Sequence, residues 1–267
     1  MYNLLLAGND RAFDGMLINA LSYVKYNKKP TRVYILTMDL TEFNPKFKPI
    51  NKEMIQMLNI IYKKGNPQSE VILKDCRDEF IKRLGGSKSM YTGYTPYTYL
   101  RLFIDKSIDE DKILYLDTDT IFNGNIDDLY NMDLLDYEYA GAKDFLGKIF
   151  INRNYINAGV LLFNLKRIRE TNLFNICLDA LKIKKYTFND QDVLNKFCQK
   201  KLFFDSKYNN QYKYSKKTVI QHFSKSIRFL PWFHTVNVKP WMVDQVHEIY
   251  KLHAYDDVLD EYEEIVK

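Results

Sequence analysis

The chain has 267 residues, with 39 Lys and Arg against 34 Asp and Glu for a net charge of +5. Its 46% hydrophobic and 15% aromatic content supports a full core and excludes both a disordered chain and a small stapled scaffold. Cys76, Cys177 and Cys198 are widely spaced without a C-x-x-C pair, which indicates reduced thiols, and no zinc-knuckle, RNA-recognition, P-loop or Rossmann-fingerprint pattern points to nucleic acid or a glycine-cradled phosphate.

Asn3 to Ala7 reads as a strand, too short and lacking the basic preface of a signal peptide. Phe13, Met16, Leu17, Ala20, Leu21 and Val24 then recur at helical spacing. Thr31 to Met38 is the next strand, Lys52 to Tyr62 the next helix and Glu70 to Leu73 the strand after it. This alternation predicts an α/β fold, a parallel sheet with helices on both sides. The breaker-rich stretch from Gly85 to Pro96 is a loop, with a lid as its functional alternative, and Tyr97 to Ile108 reads as helical. Residues 112–122 form an apolar β-type run, and Asn125 to Leu134 a short acidic turn. Tyr137 to Ala142 and Ile156 to Leu165 are strands, one long helix covers about 167–184, and Asn189 suits the N-cap of another. Thr218 to Phe223 is a last strand, and from Met242 the tail is helical and acidic. No repeat or linker divides the chain, so a single domain is expected. No stretch nears the roughly 20 apolar residues that cross a bilayer, which predicts a cytoplasmic protein at most peripheral to a membrane.

Asp117 and Asp119 are the most informative residues. Carboxylates are costly to bury without partners, and a pair two positions apart at the end of Ile-Leu-Tyr-Leu asks for a cation. Residues i and i+2 of a strand share a face, so both can approach one hard ion such as Mg2+ or Mn2+. Ligands of parallel sheets sit at the carboxyl ends of strands, where Ala7 to Asp10 also falls, so the two segments could share one site. In Asn157-Ala158-Gly159-Val160, small residues beside an amide permit close approach of a ligand to the backbone; a glycine-bearing buried strand is the alternative. Asn189-Asp190-Gln191-Asp192 opens a helix, where capping explains the acidic residues equally well. His222 ends an apolar strand, and this context favours it as a further metal ligand over His234, His247 and His253.

These segments, with Leu-Leu-Leu-Ala-Gly-Asn-Asp at residues 4–10, Tyr99-Leu100-Arg101-Leu102 and Val193-Leu194-Asn195, together resemble glycosyltransferase family 8 over nearly the whole chain. That family comprises retaining transferases of GT-A fold, including bacterial galactosyl- and glucosyltransferases and the glycogenins, and the resemblance implies a Rossmann-like α/β fold whose central sheet is mixed but mostly parallel and flanked by helices. The resemblance implies one catalytic domain with a nucleotide-binding part at about 1–122, a sugar and acceptor part at about 123–240 and a helical tail at about 241–267. It implies a UDP-glucose or UDP-galactose donor, a saccharide or lipid-linked saccharide acceptor, and Mn2+ or Mg2+ held by Asp117, Asp119 and His222 against the diphosphate. Ala7 and Asn9 would lie along the uracil and ribose, with Asp117, Thr118 and Lys225 also on the nucleotide. Arg101, Asp144, Asn157, Ala158, Asp190 and Gln191 would surround the donor sugar, Gln191 nearest the anomeric carbon and Asp190 the reserve nucleophile. Because Gln191 is uncharged, front-face displacement is favoured over a covalent glycosyl-enzyme.

The chain departs from the family pattern in two places. Asn9 stands where an acidic residue is usual. The closing pattern of His, Gly and Lys-Pro-Trp is dispersed: His222-Phe223-Ser224-Lys225 lacks the Gly, and Lys239-Pro240-Trp241 lies nearer His234. Lys225, Arg228 and Lys239 therefore compete for the diphosphate, and His234 is the alternative to His222. Two rival readings are a non-catalytic nucleotide-sugar binder and a haloacid-dehalogenase-type phosphatase using Asp117-Thr118-Asp119-Thr120, though the latter wants its motif near the amino terminus. The acidic tail, Asp256 to Glu264, argues against membrane anchoring by that end.

Overall fold

The computed structural model describes residues 1–87, 95–228, 232 and 234–267, with backbone alone at 227 and 228. Its eleven strands are β1 (Tyr2–Ala7), β2 (Thr31–Thr37), β3 (Glu70–Asp75), β4 (Lys112–Leu116), β5 (Thr120–Phe122), β6 (Tyr139–Lys143), β7 (Ile156–Asn164), β8 (Lys201–Phe203), β9 (Ile220–His222), β10 (Ser226–Arg228) and β11 (His234–Val236). Seven of them make one sheet in the order β3-β2-β1-β4-β7-β6-β8, while β5 pairs with β9 and β10 with β11. β1, β2, β3 and β4 run parallel, and β7 enters antiparallel to both β4 and β6.

Alternate side chains of the central strands feed two cores, as the period of two requires. Leu4, Leu6, Val33, Ile35, Leu114, Leu116, Val160 and Leu162 face one side with the Phe13–Tyr26 helix. Leu5, Tyr34, Leu36, Ile113, Tyr115, Leu161 and Phe163 face the other. With both faces covered, these strands are apolar throughout, the sequence signature of a buried sheet. The Phe13–Tyr26 helix is buried along 15–23, and its polar members are spent on β5: Asn19 Nδ2 donates to Thr120 Oγ1 at 2.9 Å and Ser22 Oγ accepts from Phe122 N at 3.1 Å.

One local expectation is refined and two are corrected. The helical segment expected over Tyr97 to Ile108 is present as a 3-10 helix over Pro96–Lys106, opened by Pro96 at its first turn. The long helix expected over 167–184 is two, Leu165–Thr171 and Leu173–Ile183, because Asn172 takes a left-handed conformation at φ 59° and breaks the ladder. Asn189 is not an N-cap: it is the first residue of the Asn189–Phe197 helix, at φ 47°, and Phe188 caps. The Asp192 carboxylate instead accepts from Phe188 N at 2.9 Å. An α-helix at Arg77–Leu84, unread in the sequence, follows β3. Most of the breaker-rich loop, residues 88–94, lies outside the described residues, so a lid there has no structural counterpart to report.

Candidate active site

Asp117 and Asp119 do converge, although by a turn rather than by strand periodicity. β4 ends at Leu116, and the chain reverses through Asp117-Thr118-Asp119 into β5. Three bonds set that reversal: Asp117 N to Gly159 O at 2.7 Å, Thr120 Oγ1 to Asp117 O at 2.7 Å, and Phe223 N to Asp119 O at 2.9 Å. The β5–β9 pairing puts Thr120 opposite His222, which brings the imidazole over the turn. His222 Nε2 lies 3.2 Å from Asp119 Oδ1 and 3.7 Å from Asp117 Oδ2, and the three residues each offer a ligand atom within 4.8 Å of the others. His234 is not part of this group; its Nδ1 faces Trp232 O at 2.8 Å.

Two glycines allow this packing. A Cβ on Gly159 would sit 2.1 Å from His222 Cε1, so the close approach that Asn157-Ala158-Gly159-Val160 permits is that of a histidine ring rather than a ligand. A Cβ on Gly15 would meet Thr118 O at 2.3 Å and Trp241 Cζ3 at 2.7 Å, so this glycine lets the first helix lie against the aspartate turn.

The donor set fits a divalent cation. His222 Nδ1 is 2.9 Å from Asn209 Oδ1, and Asn209 Nδ2 donates to Asn157 Oδ1 at 2.9 Å, which leaves Oδ1 as the acceptor and places the imidazole proton on Nδ1. Nε2 is thereby aimed at two carboxylates and needs a cation or a second proton between them. Burial opposes charge on both His222 and Asp119, but their mutual attraction prevails: the imidazole is raised from its ordinary value and the carboxyl is lowered, the latter also by Lys239. Lys239 Nζ donates to Asp119 Oδ2 at 2.5 Å and to Phe223 O at 2.9 Å. Of the competing cations whose side chains are described, Lys239 is thus the one that reaches Asp119. Lys225 is exposed on the β9–β10 turn and is not among the residues lining the pocket, and the Arg228 side chain lies outside the described residues.

Above this turn opens a cavity of about 530 Å³ lined by Ala7, Gly8, Asn9, Lys46, Phe47, Tyr97, Arg101, Asp117, Thr118, Asp119, Ala158, Asp190, Gln191, Lys239 and Trp241. The ends of β1 and β4 therefore share one site. Its wall is a charged cluster. Arg101, buried, stacks on the Tyr115 ring at 3.9 Å, donates to Asp117 Oδ1 at 2.9 Å and to Ala158 O at 2.5 Å, and lies 3.0 Å from Asp190 Oδ2. Tyr115 OH adds a 2.6 Å bond to the same Asp117 oxygen. Burial pushes the Asp190 carboxyl up to about 6 in spite of the nearby guanidinium.

Behind Asp190, Gln191 Oε1 accepts from Ala158 N at 2.8 Å and its Nε2 faces Asp144 Oδ2 at 3.5 Å. Asp144 Oδ2 also accepts from Asn157 Nδ2 at 2.8 Å, and its Oδ1 accepts from Gly147 N at 2.6 Å. Gln191, Asp144, Asn157, Asn209 and His222 are thus joined in one hydrogen-bonded chain. The sequence does not single out Asn209, because an asparagine inside Ser206-Lys207-Tyr208-Asn209-Asn210 carries no pattern that marks it, and Tyr115 and Trp241, met there only as members of longer motifs, line the cavity. Phe13 does not line the cavity, whereas Phe47 and Tyr97 supply aromatic faces near Asn9.

A mixed sheet of this order, with a carboxylate turn at the carboxyl end of its fourth strand, defines a GT-A glycosyltransferase fold. The same fold occurs in the galactosyltransferase LgtC solved with donor and acceptor sugar analogs, at TM-score 0.69 and 19% identity over 97% of this chain and 95% of that one. The chain matches the model of glycosyl transferase family 8 over residues 3–245, and it belongs to that family. It is 31% identical over 211 residues to glycosyltransferase GlyA of Streptococcus pneumoniae serotype 4, covering 78% of this chain and 27% of that protein. It is 30% identical over 175 residues to a lipopolysaccharide 1,3-galactosyltransferase of Salmonella typhimurium, covering 59% and 50%. A putative glycosyltransferase of Haemophilus influenzae is 25% identical over 227 residues, and this chain spans 62% of its length. Membership of this family removes the phosphatase alternative. Among the described residues no helix is long and apolar enough to cross a membrane.

Proposed function

We propose that the chain is a metal-dependent retaining glycosyltransferase that moves glucose or galactose from a UDP-sugar to a saccharide or lipid-linked saccharide acceptor. The observation that carries this reading is the convergence of Asp117, Asp119 and His222, with both carboxylates in the pocket that Ala7, Asn9, Arg101, Asp190 and Gln191 also line. Two carboxylates and an imidazole suit Mn2+, with Mg2+ as the harder alternative. When bound, the ion supplies Lewis-acid stabilisation of the negative charge that grows on the departing diphosphate.

The remaining steps belong to the protein. Ala7, Asn9 and Thr118 orient the uridine, and Lys239 offers an ammonium to the diphosphate when it is released from Asp119. Arg101 fixes Asp117 and Asp190 with respect to each other, so the metal side and the sugar side of the site are one rigid unit. Gln191 lines the pocket and presents its amide to the hexose, while the Asp144–Asn157 pair behind it positions that amide on the sugar side of the site. Asp190 is buried against Arg101 and its carboxylate is poorly disposed to attack carbon, which favours a front-face displacement. In it the bond from the anomeric carbon to the phosphate oxygen breaks as the acceptor oxygen bonds on the same face. The acceptor proton passes to that departing oxygen, and Gln191 stays chemically unchanged.

The test is a hydrolysis screen of UDP-glucose, UDP-galactose, UDP-N-acetylglucosamine and GDP-sugars with Mn2+ or with chelator. Slow UDP-hexose hydrolysis that chelator abolishes supports the transferase. Binding without any turnover would mark a non-catalytic nucleotide-sugar binder instead.

A further inference from the structure

We infer that His247, His253 and Asp256 form a second divalent-metal site, a Zn2+ clasp at the foot of the carboxyl-terminal helix that shares no residue with the sugar-nucleotide pocket. The three residues come from the Val243–Tyr250 helix, the turn that follows it and the first position of the Asp256–Val266 helix. Lys251, at φ 52°, reverses the chain between the two helices. That reversal stacks the two imidazoles, with centroids 4.5 Å apart and planes inclined by 20°.

Both rings turn an edge to one carboxylate. His247 Nε2 is 2.8 Å from Asp256 Oδ1, and His253 Nδ1 is 3.0 Å from Asp256 Oδ2. One ligand atom from each residue lies within 4.8 Å of the other two, the same convergence that marks Asp117, Asp119 and His222. Two imidazoles with one carboxylate are the donor set of a three-ligand zinc site, leaving a fourth position for water. The nitrogen majority selects Zn2+ over Mg2+ or Ca2+, which want oxygen. Without an ion, each ring must spend an N–H on Asp256; one dication replaces both protons while the carboxylate keeps its place between the rings. Access and anchoring are divided between the rings, because the His253 side chain is 64% exposed and that of His247 only 28%.

The site has a structural consequence. Phe223, next to His222, packs against Tyr250 at 6.1 Å and Tyr255 at 6.4 Å, the residues that flank the clasp. Closing the clasp therefore braces the His222 segment from behind.

The test is a titration of the whole chain with Zn2+ alone, read by calorimetry, and with Co2+, read by visible absorption. It compares the parent with His253→Ala and Asp256→Asn. Each protein is also examined with Asp117→Asn and Asp119→Asn added, so that the pocket and the clasp are read apart. The expected result is one Zn2+ site that survives the pocket substitutions and weakens at least about tenfold in His253→Ala, with loss of the tetrahedral Co2+ bands. Because His253 is largely exposed, that variant keeps its fold. Asp256→Asn keeps an acceptor for one ring but removes the anionic ligand, so weakening there too assigns the effect to coordination. Zn2+ affinity unchanged in His253→Ala, or no Zn2+ bound once the pocket carboxylates are gone, overturns the clasp.

Discussion

Asn209 Oδ1 stands 2.9 Å from His222 Nδ1, and the same amide donates to Asn157 Oδ1 at 2.9 Å. One fully buried side chain therefore sets the tautomer of the candidate metal ligand and ties it to the residues beside Gln191. Asn209→Ala should leave His222 Nδ1 and one lone pair of Asn157 unsatisfied, at a cost of about 1–3 kcal/mol. Mn2+ affinity, followed by the loss of the free-ion electron paramagnetic resonance signal, should fall about 10–100-fold. Asn209→Asp retains the acceptor for His222 Nδ1 but loses the donor to Asn157 Oδ1, and should restore only part of the affinity. Equal affinity in the parent and the alanine variant would show that His222 needs no such support.

Gly15 offers a test in which packing opposes intrinsic preference. Gly15 lies in the first turn of the Phe13–Tyr26 helix, and replacing a helical glycine with alanine ordinarily stabilises by up to about 1 kcal/mol. Here the added methyl group would meet Thr118 O at 2.3 Å, so Gly15→Ala should instead destabilise by about 1–3 kcal/mol in urea and disturb the aspartate turn. Gly159→Ala should act on the other side of the same turn, displacing the His222 ring from 2.1 Å contact and lowering Mn2+ affinity more than Gly15→Ala does.

Asp190 should give the stability curve a recognisable slope. Its carboxyl is raised by burial from 3.8 to about 6, so the folded chain holds the proton more tightly than the unfolded chain. That contribution is complete below about pH 4 and is lost as pH rises through about 6, a loss of roughly 3 kcal/mol. Asp190→Asn cannot titrate there. Denaturation at pH 4.5 and 7.5 should show the decline attributable to this group in the parent and not in the variant; parallel curves for the two proteins would contradict the buried, ionisable Asp190.

Much of the architecture was legible because local pattern and global role agree. The apolar runs of β1, β2, β4 and β7 announce a sheet covered on both faces, and Phe13, Met16, Leu17 and Leu21 announce the helix on it. The antiparallel insertion of β7 between β4 and β6 was not legible, since strand order depends on pairings far apart in sequence. Nor was the break at Asn172, where one left-handed residue inside a helical pattern leaves no periodic trace. At the site, Asp117, Asp119 and His222 stood out because each ends an apolar run. Asn209 and Gly15 did not, because their significance is a contact across the fold. The choice of Lys239 over Lys225 likewise rests on where the chain returns after β11, which charge and spacing do not encode.

The central claim is that Asp117, Asp119 and His222 hold a divalent ion against a nucleotide diphosphate. Calorimetric titration of the protein with UDP, with and without Mn2+, tests it most directly. The account predicts UDP binding that Mn2+ strengthens at least about tenfold in the parent and in His234→Ala, a gain lost in Asp119→Asn and His222→Ala. A full Mn2+ gain in Asp119→Asn, or its loss in His234→Ala with retention in His222→Ala, would contradict it.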